Sequence, residues 1–154
     1  KDIKKSSLSY ASKNFVGEDV IIQEQLMGEE YGIDVLNDFD GNFIKSFVKK
    51  KLAMRSGETD AAITVNNKHL HEIAKKLSKK LKHYGNLDLD VFYDGKNAYI
   101  LELNPRFGGG YPFTHLAGAN IVSAYVNLYK GNPIKFNFKP NVKGCKIISI
   151  NKSN

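Results

Sequence analysis

The residues best suited to chemistry lie in two short segments. Residues 87–93 carry Asp88 and Asp90, residues 98–104 carry Glu102 and Asn104, and Arg106 follows after Pro105. Strand alternation puts Asp88, Asp90 and Phe92 on one face of the first segment, with Leu87, Leu89, Val91 and Tyr93 on the other. In the second segment Ala98, Ile100, Glu102 and Asn104 share one face, and Tyr99, Leu101 and Leu103 the other. A three-residue loop, Gly95-Lys96-Asn97, sets Asp94 opposite Ala98. Counting back from there, Asp90 faces Glu102 and Asp88 faces Asn104. Opposed residues in an antiparallel pair have Cβ atoms about 5 Å apart, and like charges so placed repel. A cation between them turns that cost into a site. Two carboxylates and an amide carbonyl form an oxygen-only set that suits magnesium (Mg2+) or manganese (Mn2+) rather than zinc. The alternative is a solvated edge with incidental acids, since a one-residue slip would separate the pair.

The residues after these acids extend the same chemistry. Pro105 cannot donate to a sheet and ends the strand. Arg106 stands one step beyond the acidic face. Gly108-Gly109-Gly110 permits a backbone approach that a side chain would block. Strand acids, an arginine and a glycine run together fit a metal-bound polyphosphate. The run is neither a Walker A loop nor a dinucleotide fingerprint, because no Gly-Lys-Ser/Thr follows and the glycines are contiguous. The alternative is a loop kept glycine-rich for flexibility.

These residues need a frame, and the remaining pattern supplies one. Residues 5–14 read as a short helix. Three strands are expected over 20–26, 30–37 and 42–51, the last two joined at Asp40-Gly41. Residues 53–65 read as a loop containing Arg55-Ser56-Gly57-Glu58-Thr59. The spacing of Leu70, Ile73, Ala74, Leu77, Leu81 and Tyr84 predicts a helix over 67–84, capped by Asn66 or Asn67 and stopped at Gly85. Residues 114–130 read as helix and 144–150 as a final strand. The class is α+β, an antiparallel-rich sheet covered by helices.

Composition narrows the function. The chain has 154 residues, 42% of them hydrophobic, enough for one globular core. Its single cysteine, Cys145, excludes an internal disulfide framework and is expected to be a buried apolar filler. His69, His71 and His83 are expected to face solvent, and His115 to cap a helix. No run of ~18 apolar residues is present to span a membrane, and no signal-peptide pattern opens the chain. Formal net charge is +7, from 23 Lys+Arg against 16 Asp+Glu. Only Arg55 and Arg106 are arginines, so the basic balance reads as solvated lysine faces more than a nucleic-acid interface. The first residue is Lys1 rather than Met, and the expectation is a piece of a longer protein.

The run Leu101-Glu102-Leu103-Asn104-Pro105-Arg106-Phe107-Gly108-Gly109-Gly110-Tyr111-Pro112 resembles the signature of ATP-grasp enzymes, in particular those similar to the large subunit of carbamoyl-phosphate synthase. Thr114-His115-Leu116-Ala117-Gly118-Ala119-Asn120 is also similar to that family. The resemblance covers roughly residues 20–131. It implies that Asp90, Glu102 and Asn104 bind magnesium, with Glu102 able to bridge two ions. It implies that Arg106 contacts the transferred phosphate or an acylphosphate. Gln23-Glu24-Gln25-Leu26 resembles the hinge strand under adenine, so Glu24, Gln25 and Leu26 would contact the base. Glu30 falls where the family places an acid on the ribose hydroxyls. Arg55 is weighed evenly between a phosphate or substrate contact and a surface residue.

The resemblance further implies the C-terminal lobe of a cytoplasmic ATP-dependent carboxylate ligase, with ATP and a small carboxylate as ligands. Residues 1–19 would be a polar segment at the end of a smaller lobe, and 20–154 the C-terminal lobe. A lysine-bearing strand and a glycine-rich flap should precede the hinge. Neither occurs in the roughly twenty residues before it, so this chain alone is expected to turn over little or nothing. Two other classes stay open. One is a nucleotide-binding regulatory lobe without turnover. The other is a basic module for nucleic acid or another polyanion, marked by steep salt dependence and indifference to magnesium.

Overall fold

A computed structural model describes residues 5–17 and 19–146. Tyr31, Ile33 and Val35 alternate along β1 (Glu29–Asn37) and are buried, which makes this strand the centre of the core. It pairs antiparallel with β2 (Phe43–Arg55) on one side and β4 (Asn86–Tyr93) on the other. β3 (Glu58–Val65), β5 (Ala98–Asn104) and β6 (Lys143–Cys145) complete a six-stranded sheet of order β5-β4-β1-β2-β3-β6. The helices are α1 (Lys5–Asn14), α2 (Lys68–Leu81), α3 (Tyr111–Leu116) and α4 (Ile121–Tyr129). No helix among the described residues is long and apolar enough to cross a membrane.

Two apolar clusters grip the sheet from its two faces. On one face Leu70 and Ala74 of α2 close over Tyr31, Ile33, Val35, Val48, Leu87, Leu89 and Val91. Of the two expected caps, Asn66 and Asn67, it is Asn67 that caps α2, accepting from the Leu70 amide at 3.1 Å. On the other face Ile121 and Ala124 of α4, with Ala119, cover Leu36 and Phe47. Phe136 and Phe138, from the irregular stretch after α4, close on the Phe47 ring at 4.9 and 5.0 Å between centroids.

Several expectations are corrected. Residues 20–26 form no strand, because a β-branched run becomes one only beside a partner strand, and the sheet of the described residues does not include it. The loop expected over 53–65 is the end of β2 plus all of β3. Ser56 and Gly57 both take positive φ, 49° and 80°, the geometry of a tight hairpin turn whose twist matches its strands. α2 stops at Leu81, where Lys82 turns left-handed, so Leu81 and Tyr84 are exposed and do not extend the core stripe. The helix expected over 114–130 is two helices. Gly118 at φ 98° breaks it, and Asn120 caps the second by accepting from the Ser123 amide.

Three side-chain expectations also change. Cys145 is exposed on the short edge strand β6, and residues 147–150 of the strand expected there lie outside the described residues. His71 is half-buried with Nδ1 2.8 Å from the Ser46 hydroxyl, and His83 is half-buried against Asn37 and the Val35 carbonyl. Burial holds both imidazoles below the usual histidine range. At His71 the Lys45 ammonium adds to that effect and Glu72 opposes it; at His83 the hydrogen bond to Val35 opposes it. His69 is exposed and stacks on Tyr93, and His115 lies in the last turn of α3.

Candidate functional site

The β4–β5 hairpin sets the site. Asp90 pairs with Glu102 and Asp88 with Asn104, the register expected from the sequence. The route to it differs. Tyr93, not Asp94, lies opposite Ala98, because Asp94 stays in the turn and accepts amide hydrogens from Lys96 and Asn97. A bulge between Asp90 and Val91 places Val91 opposite Ile100, and the extra residue, Leu101, restores the pairing of the acids. Ala98 consequently packs against the α2 cluster and leaves the acidic face.

These residues wall a cleft of about 260 Å³ together with Gly32, Lys49, Lys51, Gly57, Glu58, Thr59, Arg106, Gly109 and Gly110. Three cations (Lys49, Lys51, Arg106) and four carboxylates (Glu58, Asp88, Asp90, Glu102) line the wall, and Lys146 pairs with Glu58 at its edge. Burial pushes the Asp88 carboxyl up to about 6. Asp34 and Asp90 push the same way, and Lys49 and Arg106 pull it back.

The glycine run acts through close approach. A Cβ on Gly108 would stand 1.9 Å from Asp88 Oδ2, and one on Gly110 would stand 2.5 Å from Lys49 Cε. Only a glycine backbone can lie on those two charged side chains. Asn86 donates to the Arg106 carbonyl at 3.2 Å and ties the start of the loop to β4. Arg106 leaves its guanidinium 59% exposed at the mouth, 3.8 Å from Asp88.

Lysines that the sequence does not assign to the site join these parts. Lys51 is nearly buried, with Nζ 2.5 Å from Glu30 and 2.9 Å from Asp90. Burial pulls its pKa down, but the two carboxylates outweigh that and hold it above the usual lysine range. It thereby links the expected ribose acid to an expected metal ligand. Lys49 is fully buried against Asp34. Lys146 bonds Glu58 at 3.1 Å, beside Gly109. Strand alternation carries 49 and 51 to the acidic face, a signal already available in the strand expected over 42–51.

The remaining expected residues fall elsewhere. Arg55 is bound to Asp60 at 2.9 Å and does not line the cleft. Glu24, Gln25 and Leu26 lie in the irregular stretch before β1. They line a separate depression of about 200 Å³ with Met27, Asp94 and Tyr99. No cluster of three or more His, Cys, Asp or Glu side chains among the described residues is placed to hold a metal ion. An oxygen set here is therefore two carboxylates, Asp90 and Glu102, plus the Asn104 amide. That donor chemistry fits a hard divalent cation.

Comparison with known proteins places this hairpin in a lineage. Residues 17–153 match the family described as ATP-grasp in the biosynthetic pathway with Ter operon. The chain belongs to the ATP-grasp family. It is 26% identical over 128 residues to a carbamoyl phosphate synthase large chain of Clostridium acetobutylicum, covering 75% of this chain and 12% of that protein. It is 24% identical over 125 residues to the arginine-specific large chain of Bacillus subtilis, with the same coverage. The chain thus spans about an eighth of the length of these relatives.

Solved ATP-grasp structures share the fold. The biotin carboxylase domain of a thermophilic 2-oxoglutarate carboxylase, bound to bicarbonate, matches at a TM-score of 0.62 and 18% identity, covering 90% of this chain and 34% of that one. N5-carboxyaminoimidazole ribonucleotide synthetase from Thermus thermophilus matches at 0.63 and 16%, covering 90% and 41%. The α+β expectation, an antiparallel sheet with helices, holds against both.

Proposed function

We propose that this chain is the nucleotide- and metal-binding lobe of an ATP-dependent carboxylate ligase, working as part of a longer protein. The observation that carries this reading is the opposition of Asp90 to Glu102 and of Asp88 to Asn104 on one wall of a cleft, with Arg106 at its mouth. Asp90, Glu102 and Asn104 would hold Mg2+ or Mn2+. Such an ion neutralises the β- and γ-phosphates of ATP and polarises the phosphorus under attack.

The chain's own residues do the rest by position and charge. Glu24, Gln25 and Leu26 border the depression proposed for adenine, and Glu30 lies at the start of β1, where ribose hydroxyls would be met. The backbone of Gly109 and Gly110 allows phosphate to approach without a side chain intervening. A substrate carboxylate oxygen attacks the γ-phosphorus, and ADP leaves. Arg106 faces the charge that develops on the transferred phosphoryl group. An amine or similar nucleophile then displaces phosphate from the acylphosphate. No covalent enzyme intermediate is required.

A second reading, nucleotide binding without turnover, is favoured by one observation: the Lys51 ammonium already occupies Asp90. ADP formation by the full-length protein separates the two. The test of the main reading is titration of the full-length protein with ATP, with and without Mg2+, beside the Asp90→Asn, Glu102→Gln double variant. Magnesium-dependent binding that the double variant loses is the expected result. Binding indifferent to magnesium, with steep salt dependence, would overturn it in favour of a polyanion-binding module.

A further inference from the structure

Among the described residues, the most deeply buried ion pair is not one of the expected ligands. Lys49 Nζ lies 2.7 Å from Asp34 Oδ2, with side chains 1% and 0% exposed. The Thr114 hydroxyl, also fully buried, donates to the same oxygen at 2.5 Å. Asp34 Oδ1 has no hydrogen-bond partner. A buried ion pair is a poor stabiliser, because desolvation consumes most of its attraction, and apolar replacements of similar size are often neutral or better. Stability alone therefore does not explain this buried group, whose Lys49 reaches the wall of the cleft.

Their connections supply a reason. Asp34 lies directly opposite Asp88, and Gly32 is flanked by Lys49 on one side and Asp90 on the other. Gly110 rests on the Lys49 side chain, and four residues later Thr114 reaches Asp34. The intervening turn is closed by the Phe113 amide on the Gly110 carbonyl at 3.2 Å. Thr114 and Lys49 thus meet on one carboxylate oxygen of Asp34, which ties α3 to β1 and β2 beside the contact of Gly108 with Asp88. Asn104 and Arg106 lie at the other end of that short segment.

We infer that Lys49, Asp34 and Thr114 form a positioning relay that seats the glycine run and α3 against the sheet and so sets Asn104 and Arg106 against the acidic strands. The relay touches neither the base nor the metal. It rests on the nucleotide reading above. Supporting groups of this kind typically cost about 10–100-fold in metal affinity when removed.

The test uses the full-length protein and two series of variants. In the first, Lys49→Met and Asp34→Leu are combined, so that no buried charge is left unpaired. Thermal unfolding reports stability. Calorimetric titration with ATP, with and without Mn2+, reports the gain in affinity that the metal confers. The expected result is a wild-type-like melting temperature and a metal-dependent gain, taken relative to each variant's own metal-free ATP affinity, reduced by about tenfold or more. In the second series Thr114→Val lowers the gain and Thr114→Ser, which keeps the hydroxyl, retains it. This series remains decisive if the double variant does not fold. A stable double variant with the full metal-dependent gain overturns the relay, as does Thr114→Val behaving like Thr114→Ser. Absence of any metal-dependent gain in the wild-type protein overturns the nucleotide reading itself, and the relay with it.

Discussion

The two faces of the central sheet are written in alternate residues of the same strands, yet they differ in kind. Under α2, Tyr31, Ile33, Val35, Val48, Leu87, Leu89 and Val91 form a dry apolar layer. On the opposite face β1 runs Leu36, Asp34, Gly32, Glu30, and β2 runs Phe47, Lys49, Lys51. That face grades from the apolar cover of α4 through a buried ion pair to an open acidic cleft. The contrast teaches that stability and chemistry are separable here. The α2 face holds the strands in register, and the cleft face inherits the alignment of its charges from that register.

The largest expected effect tests the apolar face. Leu89→Ala removes a fully buried side chain and should cost ~2–5 kcal/mol of unfolding free energy. Denaturant titration measures this, while ATP affinity per folded molecule stays unchanged. A change in affinity at constant folded fraction would break the separation. Glu102→Gln asks the converse. It should leave unfolding within about 0.5 kcal/mol. ADP formation by the full-length protein should fall at least about a hundredfold, the scale of losing one electrostatic stabiliser. Near wild-type turnover would remove Glu102 from the site.

Smaller effects sharpen the boundary. Gly108→Ala drives a methyl into the Asp88 carboxylate and should cost ~1–3 kcal/mol, together with weaker metal-dependent nucleotide binding, because the loop itself must shift. Full retention of both would show that the loop is not seated on Asp88. Asn67→Ala deletes the α2 cap and should cost about 1 kcal/mol of stability with no effect at the cleft.

Acid should act on the strands' frame through His71 and His83. Both hold protons less tightly folded than unfolded, so the unfolded chain binds more protons once pH falls below the ordinary value of 6.5. Their contribution is intact above that pH and declines as pH drops toward the lowered folded values. Melting curves of wild type and a His71→Gln, His83→Gln variant should differ in slope across that window. Identical slopes would mean that neither histidine is held neutral by burial.

Much of the site was legible because periodicity and turn chemistry are local. Alternation put Asp88 and Asp90 on one face, and Pro105 and the glycine run marked where the strand must end. The Asp90–Glu102 opposition emerged through two offsetting irregularities, a longer turn at Asp94 and a bulge that inserts Leu101. Counting back from a three-residue loop arrives at the same acid pairs by a path that the chain does not take. Arg55 reads as a loop cation, but folding extends β2 to it and places Asp60 beside it. Residues 20–26 have strand propensity and no strand, since pairing is a property of neighbours.

The sequence by itself determined the hairpin acids, the core of the α2 stripe, the fold class and the family signature, because each depends on residues within one or two elements. Only the tertiary structure decided that Lys51 bridges Glu30 to Asp90, that Gly108 and Gly110 rest on Asp88 and Lys49, and that Thr114 closes on Asp34. The last of these joins residues eighty positions apart. Contacts over such separations arise from the crossing of β1, β2, β4 and α3 in space, and no periodicity along the chain encodes which charge will meet which.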